Sequence, residues 1–425
     1  MKTKYLLLLM LTIPLFVHAQ TQMTLQQCRE MSMSGSPLLK QGEQQIEAAA
    51  SAVDAARKDY YPQLDINGDY TYLQDPITIE VGDMEFQGEN SQYSLNAALI
   101  QNIWKGGMVR NMHNLSSYQL NLAKRNKDAI EDIVLYQTEL YFWNAIYMED
   151  LLELSGLYKE VIDDLVKVVR NKVEGELVNR SDLLLVEVRQ NEAELSTMKA
   201  ADSYEIALLQ LKKVMGISID SLIRPNGELD AIGDFKADRT TVESLNLRPE
   251  MAAQKEVINI KESEVALTSS KYGPNIYAGI VPVWGAPNNR LPGDEPVYNT
   301  TLVAGLNIPI VRWGKKRNEV SEMKFRKEAE VYNMEELHNQ IVLEVKSAQY
   351  QLTEAVSRVE LTTESMIKAE ENLEMMTDRY KEGLTSILEV LDAQIYWQRA
   401  YRNMLDAQAY YQSSLSEYKK ATGII

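Results

Sequence analysis

Apolar residues recur at helical spacing along two long segments that contain no proline. Segment 108–174 contains a single glycine, and segment 315–382, of almost the same length, contains none. In the second segment the apolar residues follow one another at steps of three or four, as Leu337, Ile341, Val345, Ala348, Leu352, Ala355 and Val359 do. This spacing predicts two helices that pack in the manner of a coiled coil, each about 100 Å long at ~1.5 Å per residue.

Shorter helical patterns stand before and after each long one. They are predicted at 24–61 and about 182–215 in the first half of the chain, and at roughly 241–272 and 389–422 in the second. Two short helices placed end to end match the length of one long helix. We therefore predict long helices, each flanked by two short helices that stack into a continuous rod.

Between the first short helix and the long helix of each half, apolar and polar residues alternate. The runs are LDINGDYTYL after Pro62, QYSLNAALIQNIW before the first long helix, and NIYAGIVPVW and YNTTLVAGLNIPI in the second half. Alternating runs of about ten residues are typical of tilted membrane strands. They predict hairpins at about 63–104 and 275–310, with an aromatic girdle of Trp104, Trp284 and Trp313 at the membrane boundary. A small soluble sheet is the alternative.

Sparse prolines and glycines recur at a nearly constant separation, which indicates two internal repeats. The pairs are Pro37 and Pro249, Gly107 and Gly314, Gly175 and Gly383, and Gly216 and Gly423. We predict repeat one at 20–216, a link at 217–240 and repeat two at 241–425. Gly175 and Gly383 are one position further apart than the glycine pairs before and after them. This difference predicts one extra residue in GELVNRSD, at the far end of repeat one.

Residues 1–19 have the pattern of a secretory signal peptide. Two lysines precede an apolar run from Tyr5 to Val17, and Ala19 stands before the predicted cleavage point. Cys28 lies nine residues beyond that point, so it is not the lipidated first residue of a lipoprotein. No later stretch approaches about 18 continuous apolar residues, so no transmembrane helix is predicted.

Composition argues against several classes of function. The chain has 44 Lys and Arg residues against 61 Asp and Glu, a formal charge of −17, so it lacks the basic surface that binds nucleic acid. One cysteine and three histidines exclude a disulfide framework and leave little material for metal or general-base chemistry. We predict no enzymatic activity, no cofactor and no metal site.

Four strands in one chain cannot close a membrane barrel, and an open strand edge cannot face lipid. The chain is therefore expected to oligomerise. Three copies would supply 12 strands, and their long helices would continue the barrel as a helical tunnel. The expected fold class is mainly α with membrane β.

Three motifs make the chain similar to the TolC family of outer-membrane efflux proteins. They are TLQQCREMSMSGSPLLKQGEQQIEAAASAVDAARKDYYPQL, RPEMAAQKEVINIKESEVALTSSKYGPNIYAGI and RYKEGLTSILEVLDAQ. The resemblance covers essentially the whole mature chain and implies a homotrimer: a 12-stranded barrel in the outer membrane and a long periplasmic α-helical barrel, with link 217–240 in an equatorial belt. It further implies a passive exit duct of a tripartite efflux or type I secretion system, recruited by a periplasmic adaptor (a membrane fusion protein) and an inner-membrane transporter.

The resemblance also assigns roles at the periplasmic end, where the duct would be gated. Glu389 and Asp392 look like the acidic ring of the aperture, and residues three apart share a helix face; an ordinary solvated acidic face is the alternative. Tyr380 resembles the tyrosine that ties the inner helix pair to the outer pair, with Asp182 as its hydrogen-bonding partner. Thr385 stands where the family has an arginine, so closure would be looser or arranged otherwise.

Gly175 and Gly383, with Leu384, occupy the turns between the long helices and their return helices. Glycine there permits the left-handed geometry of a helix end, and by resemblance these turns would dock the adaptor. Simple turn glycines are the alternative for Gly175. For the whole chain, the alternative to a duct is a periplasmic coiled-coil scaffold or adhesin without a pore, which would have no need of alternating strands.

Overall fold

The computed structural model describes residues 21–75, 78–230, 241–286 and 295–425. The predicted signal peptide at 1–19, part of the predicted link (231–240) and part of each predicted hairpin (76–77 and 287–294) lie outside the described residues. The chain divides into two compact units. The first comprises Met1–Leu39, Ile130–Leu247 and Ile341–Ile425, and the second comprises Lys40–Ala129 and Arg248–Gln340.

Helices dominate the chain, and strands form a smaller part. The helices are α1 (Leu25–Gly35), α2 (Pro37–Lys58), α3 (Met108–Glu174), α4 (Arg180–Met215), α5 (Thr241–Leu247), α6 (Pro249–Ser270), α7 (Lys315–Lys381) and α8 (Ile387–Ala421). The strands are β1 (Thr21–Met23), β2 (Gln63–Tyr72), β3 (Thr78–Val81), β4 (Met84–Gln87), β5 (Ser91–Lys105), β6 (Ile223–Pro225), β7 (Asn275–Ala286) and β8 (Val297–Asn307). The two long helices are confirmed: each has 67 residues.

The predicted single helices at 24–61 and 241–272 are wrong, because each is broken by a proline. Between α1 and α2, Ser36 leaves the helical region with φ −58° and ψ 123°, and Arg248 does the same before α6 with φ −72° and ψ 118°. Pro37 and Pro249 follow these residues. Proline has no N–H to donate and pushes the preceding residue toward extended backbone, so each helix restarts at the proline.

The first unit is helical and buries two groups of apolar side chains. One group lies along the ends of α3 and α7 and the start of α8; the other joins the middle of α3 to the end of α4 and includes residues of β1 and β6, which pair in parallel. The apolar seam predicted on α7 is confirmed for Ile341, Val345, Ala348, Leu352, Ala355 and Val359, which are all buried. Within the described chain, no helix has a stretch long and apolar enough to cross a membrane.

The second unit contains a four-stranded antiparallel sheet in the order β2-β5-β7-β8. Its register aligns exposed apolar side chains across all four strands: Leu64 pairs with Leu99, Leu99 with Ile280, and Ile280 with Leu302. Trp284, four residues along β7 from Ile280 and on the same face, lies between Leu95 and Tyr298. Successive residues of a strand point to opposite faces, so one face of the sheet carries these exposed apolar rows.

The opposite face is polar where β2 meets β5. The amide of Asn67 donates to the side-chain oxygen of Asn96 at 3.3 Å, and the hydroxyl of Ser94 donates to the carboxylate of Asp69 at 2.7 Å. Strands β2 and β8 stand at the two ends of the sheet order. Within the described residues, therefore, the outer edge of each is not paired with another strand of this sheet.

Candidate functional site

The turns that join α3 to α4 and α7 to α8 have the same geometry. In the first, the N–H of Leu177 donates to the carbonyl of Lys172 at 2.8 Å, and in the second the N–H of Leu384 donates to the carbonyl of Arg379 at 2.8 Å. Leu384 follows Leu177 in the chain by the same number of residues as Arg379 follows Lys172. Helix α8 also begins that number of residues after α4 begins. The predicted extra residue at the end of repeat one is therefore wrong.

Of the two turn glycines, Gly383 is in the left-handed conformation and Gly175 is not. Gly383 has φ 79°, as predicted, but its equivalent in the first turn is Glu176, with φ 55°. Gly175 is outside the left-handed region. Glycine adopts positive φ without strain because it has no Cβ, so the first turn is strained where the second is relaxed.

Replacing Gly383 with alanine should cost about 1–2 kcal/mol, because a Cβ is disfavoured at positive φ. Gly175→Ala is the matched control and should change stability by less than about 0.5 kcal/mol, since a Cβ there would meet its nearest atom, the carbonyl oxygen of Asn171, at 3.4 Å. Hydrogen exchange of the turn amides and the melting temperature measure both effects. Equal effects from the two variants would contradict the assignment of the left-handed residue.

Glu389 closes a capping box at the start of α8. Its carboxylate accepts the backbone N–H of Ser386 at 2.9 Å and the hydroxyl of Thr385, while its own N–H donates to the Ser386 hydroxyl at 3.4 Å. The hydrogen bond from Thr385, followed by those from Ser386, holds the pKa of the Glu389 carboxyl below its usual range. Sequence reasoning missed this cap, although Ser-Ile-Leu-Glu has the spacing of a capping box. Asp392, three residues on, is exposed.

The predicted hydrogen bond between Tyr380 and Asp182 is absent. The Tyr380 side chain is buried, and its hydroxyl has no hydrogen-bond partner among the described residues. Asp182 lies in the first turn of α4 and acts only at a distance: burial raises the pKa of Tyr380, and the Asp182 charge adds to that rise.

Lys172, which sequence reasoning did not single out, makes the contact between the ends of α3 and α7. Its ammonium donates to the carbonyl oxygen of Tyr380 at 2.6 Å and lies 4.4 Å from the centre of the Tyr380 ring. The same carbonyl also accepts the N–H of Gly383 at 3.0 Å, and a cation at the C-terminal end of a helix interacts favourably with the helix dipole. The only hint in the sequence was a basic residue in the last turn of α3.

A buried charged group in the first unit also escaped sequence reasoning. Glu139 on α3 is 0% exposed and forms an ion pair with Arg29 of α1. Ser416 donates its hydroxyl to the same carboxylate, and the ammonium of Lys419 lies 3.9 Å from it. Burial lowers the pKa of Lys419, and the charge of Arg29 lowers it further.

The three predicted girdle tryptophans are exposed but stand in different structural settings. Trp104 lies near the end of β5 and Trp284 near the end of β7, where its ring is 5.6 Å from that of Tyr93. Trp313 follows β8 and precedes α7, in a left-handed conformation with φ 47°. It therefore lies in a turn rather than in a strand.

Reactive groups are scarce in the described part of the chain. Burial raises the pKa of the Cys28 thiol to about 11, so it stays protonated at neutral pH and is a poor nucleophile. No three His, Cys, Asp or Glu side chains of the described residues lie close enough together to hold a metal ion.

The sheet with exposed apolar rows is typical of a protein that contacts a membrane. The two long helices make this a mainly helical protein of that class. The model of the Outer membrane efflux protein family matches residues 29–217 and 241–423. The chain belongs to this family, whose members are channels rather than enzymes and are located in the outer membrane.

Particular relatives fit this family. The chain is similar to the outer membrane protein TolC of Escherichia coli (strain K12), with 20% identity over 94% of this chain and 82% of that protein. Its fold resembles that of a membrane protein from Pseudomonas aeruginosa (TM-score 0.82, 17% identity, covering 94% of this chain and 92% of that one). It also resembles CusC, described in connection with transmembrane channel formation (TM-score 0.80, 14% identity, covering 94% and 92%).

Proposed function

We propose that the chain is one subunit of a trimeric exit duct in the outer membrane. The observation that carries the proposal is the sheet of β2, β5, β7 and β8, which exposes apolar rows on one face and, within the described residues, leaves the outer edges of β2 and β8 unpaired. Three such sheets joined edge to edge make a closed 12-stranded barrel, which satisfies the strand edges and turns the apolar rows toward lipid. A coiled-coil scaffold or adhesin would have no use for such a sheet.

The remaining parts of the chain fit the same proposal. Its two repeats, 20–216 and 241–425, would place six long helices around one axis in the trimer, as a periplasmic tunnel. Residues 217–240 would lie in an equatorial belt outside that tunnel. The duct is passive: a periplasmic adaptor and an inner-membrane transporter would recruit it and supply the energy.

The two turns between long and return helices are the proposed docking points for the adaptor. Leu384 is exposed beside Gly383, and Leu177 is exposed at the equivalent position beside Gly175 and Glu176. An exposed leucine at the same place in both turns offers apolar contact to a partner helix. Sequence reasoning named Leu384 but not Leu177.

The duct closes at these turns in our proposal. Glu389 and Asp392 of three chains would bring six carboxyl groups around one axis, where they would attract cations. Tyr380 stays part of the closed tip with Asp182 nearby, but Lys172 makes the connection between the ends of α3 and α7.

Electron microscopy of the mature protein, purified in detergent from outer membranes, tests the duct. Threefold particles with a detergent belt at one end are expected; monomers, or rods without a belt, would contradict the proposal.

Leu302→Arg should also block assembly in the membrane, since an arginine at the lipid face costs about 2–4 kcal/mol near mid-membrane. Thr301→Arg, on the opposite face of the same strand, is the matched control and should assemble normally.

Removing the Lys172 contact should loosen the tip. Lys172→Met loses a charge-assisted hydrogen bond, worth about 1–2 kcal/mol at this partly exposed position, so single-channel recordings should show more frequent opening. Lys368→Met is the matched control, because it removes an exposed ion pair with Glu364 that lies within α7 and joins no two helices. The Lys368→Met channel should open as often as the unsubstituted protein. An opening frequency unchanged by Lys172→Met would show that this contact does not hold the tip closed.

A further inference from the structure

Helix α4 has a second apolar face besides the one that it buries. Its buried residues include Val186 and Ala193. Another apolar set follows the helix at steps of three, four, seven and eight residues, which keeps its members on one face. Successive helical residues are turned by about 100°, so Val186 and Ala193, each two residues from a member of this set, point to the opposite side. The set is exposed and forms the outer face of α4: Leu184, Val188, Leu195, Met198, Ile206 and Leu209.

Helix α7 shows the same division within the first unit. Leu343, Tyr350, Leu361 and Met375 are exposed and follow one another at seven, eleven and fourteen residues, close to whole numbers of helical turns. They form a straight line, the outer face of α7. This line lies away from the buried seam, since Leu343 and Leu361 each follow a seam residue by two positions. Exposed apolar surfaces of this extent are typical of contacts with another chain.

The two outer faces belong to the flanking helices of the unit. Tyr147 of α3 donates its hydroxyl to a carboxylate of α8, and Gln190 of α4 donates to a carboxylate of α3 at 2.7 Å. The guanidinium of Arg358 on α7 lies 5.3 Å from the centre of a tyrosine ring of α8. Helices α3 and α8 therefore lie in the middle, and the outer faces of α4 and α7 point away from this packing.

The outer faces carry apolar residues at the same heights above the turns. The turns themselves lie side by side, because Lys172 at the end of α3 contacts the carbonyl of Tyr380 at the end of α7 at 2.6 Å. Counted from the left-handed residues Glu176 and Gly383, three pairs match, at eight, twenty-two and thirty-three residues, or about 12, 33 and 50 Å. The pairs are Leu184 with Met375, Met198 with Leu361, and Leu209 with Tyr350.

We propose that the outer face of α7 packs along the outer face of α4 of the next copy. This interface rests on the trimer proposed above and specifies which helices join its subunits. Rotation about an axis along the helices leaves heights unchanged, so Leu361 would meet Met198 of the next copy. Each copy contributes two different faces, so the contact repeats head to tail and closes into a ring. The edges of β8 and β2 would join in the same order in the barrel.

Disulfide cross-linking between copies tests the interface. Leu361→Cys with Met198→Cys in one chain should give covalent dimers and trimers on a denaturing gel after oxidation in outer membranes, since a disulfide needs Cα atoms within about 7 Å. Tyr350→Cys with Leu209→Cys should do the same. Leu361 is 65% exposed and Met198 60% exposed, so these substitutions leave the core of the chain intact. Cys28 is buried and would not compete.

A height-shifted pair is the matched control. Leu361→Cys with Leu209→Cys uses the same two faces at heights that differ by roughly 16 Å, so it should give only monomers on the gel. Equal cross-linking of shifted and matched pairs would overturn the register. Leu361→Cys alone should also give monomers, and dimers from it would show that like faces meet, against a head-to-tail contact.

Electron microscopy of the reduced variants separates this interface from the duct itself. Threefold particles that give no cross-link with either matched pair would overturn the contact between α7 and α4 and leave the trimeric duct standing. Monomeric particles of the unsubstituted protein would overturn both proposals. Threefold particles whose matched pairs cross-link into covalent trimers are the expected result.

Discussion

Arg29→Met should destabilise the protein by about 3 kcal/mol, because it leaves the carboxylate of Glu139 buried without its ion-pair partner. Glu139 is 0% exposed, and among the described residues the Ser416 hydroxyl and Lys419, at 3.9 Å, would remain beside its carboxylate. Lys419 compensates in part, which places the expected loss at the low end of the range for broken buried pairs. The melting temperature of the detergent-purified protein, followed by helical circular dichroism, should fall by several degrees.

A double-mutant cycle with Glu139→Gln separates the buried charge from lost packing. The double variant should recover part of the stability lost in Arg29→Met, since no unpaired carboxylate then remains. Arg326→Met is the surface control: its pair with Glu322, at 2.7 Å, is more than half exposed on both sides and is worth less than about 1 kcal/mol. Strict additivity of the two buried substitutions would show that the pair does not act as a unit.

Neutralising the proposed aperture, by Glu389→Gln with Asp392→Asn, should weaken channel block by trivalent cations at least about tenfold and alter conductance. Six carboxylates around one axis would be replaced by amides of nearly the same shape. Glutamine is chosen at 389 because the third position of a capping box accepts Gln as well as Glu. A serine there would also break the cap, so a change in conductance could come from a frayed helix.

Block and conductance are measured with single trimers in planar bilayers. Glu360→Gln with Glu371→Gln removes the same number of exposed carboxylates from α7 and should leave cation block unchanged. If both double variants weaken block alike, the effect comes from overall charge rather than from an aperture. If neither does, Glu389 serves as a helix cap only.

Local patterns predicted the elements of this chain well, because helical and strand periodicity are properties of consecutive residues. The bounds of α3 were predicted to the residue, and those of α7 to within one. The breaks at Pro37 and Pro249 were also readable, since a proline disfavours helical geometry at the residue before it. The same is true of the capping box at Ser386 and Glu389.

The turn after α3 shows where the local signal misled. A glycine is the usual left-handed residue at a helix end, and Gly175 stands in that turn, yet the chain places Glu176 in the left-handed conformation. The hydrogen bonds of the turn decide the register, and these match those around Gly383 residue for residue. One glycine therefore shifted the predicted alignment of the two halves by one position.

The sequence by itself determined the long helices, the alternating strands, the acidic character and the family of this protein, since these depend on periodicity, composition and extended similarity. Only the tertiary structure decided which polar groups meet. Glu139 and Arg29 are 110 residues apart in the chain, and Lys172 and Tyr380 are 208 apart. No local pattern encodes such pairs, because the contact arises only when separate helices pack and exclude water from the groups between them.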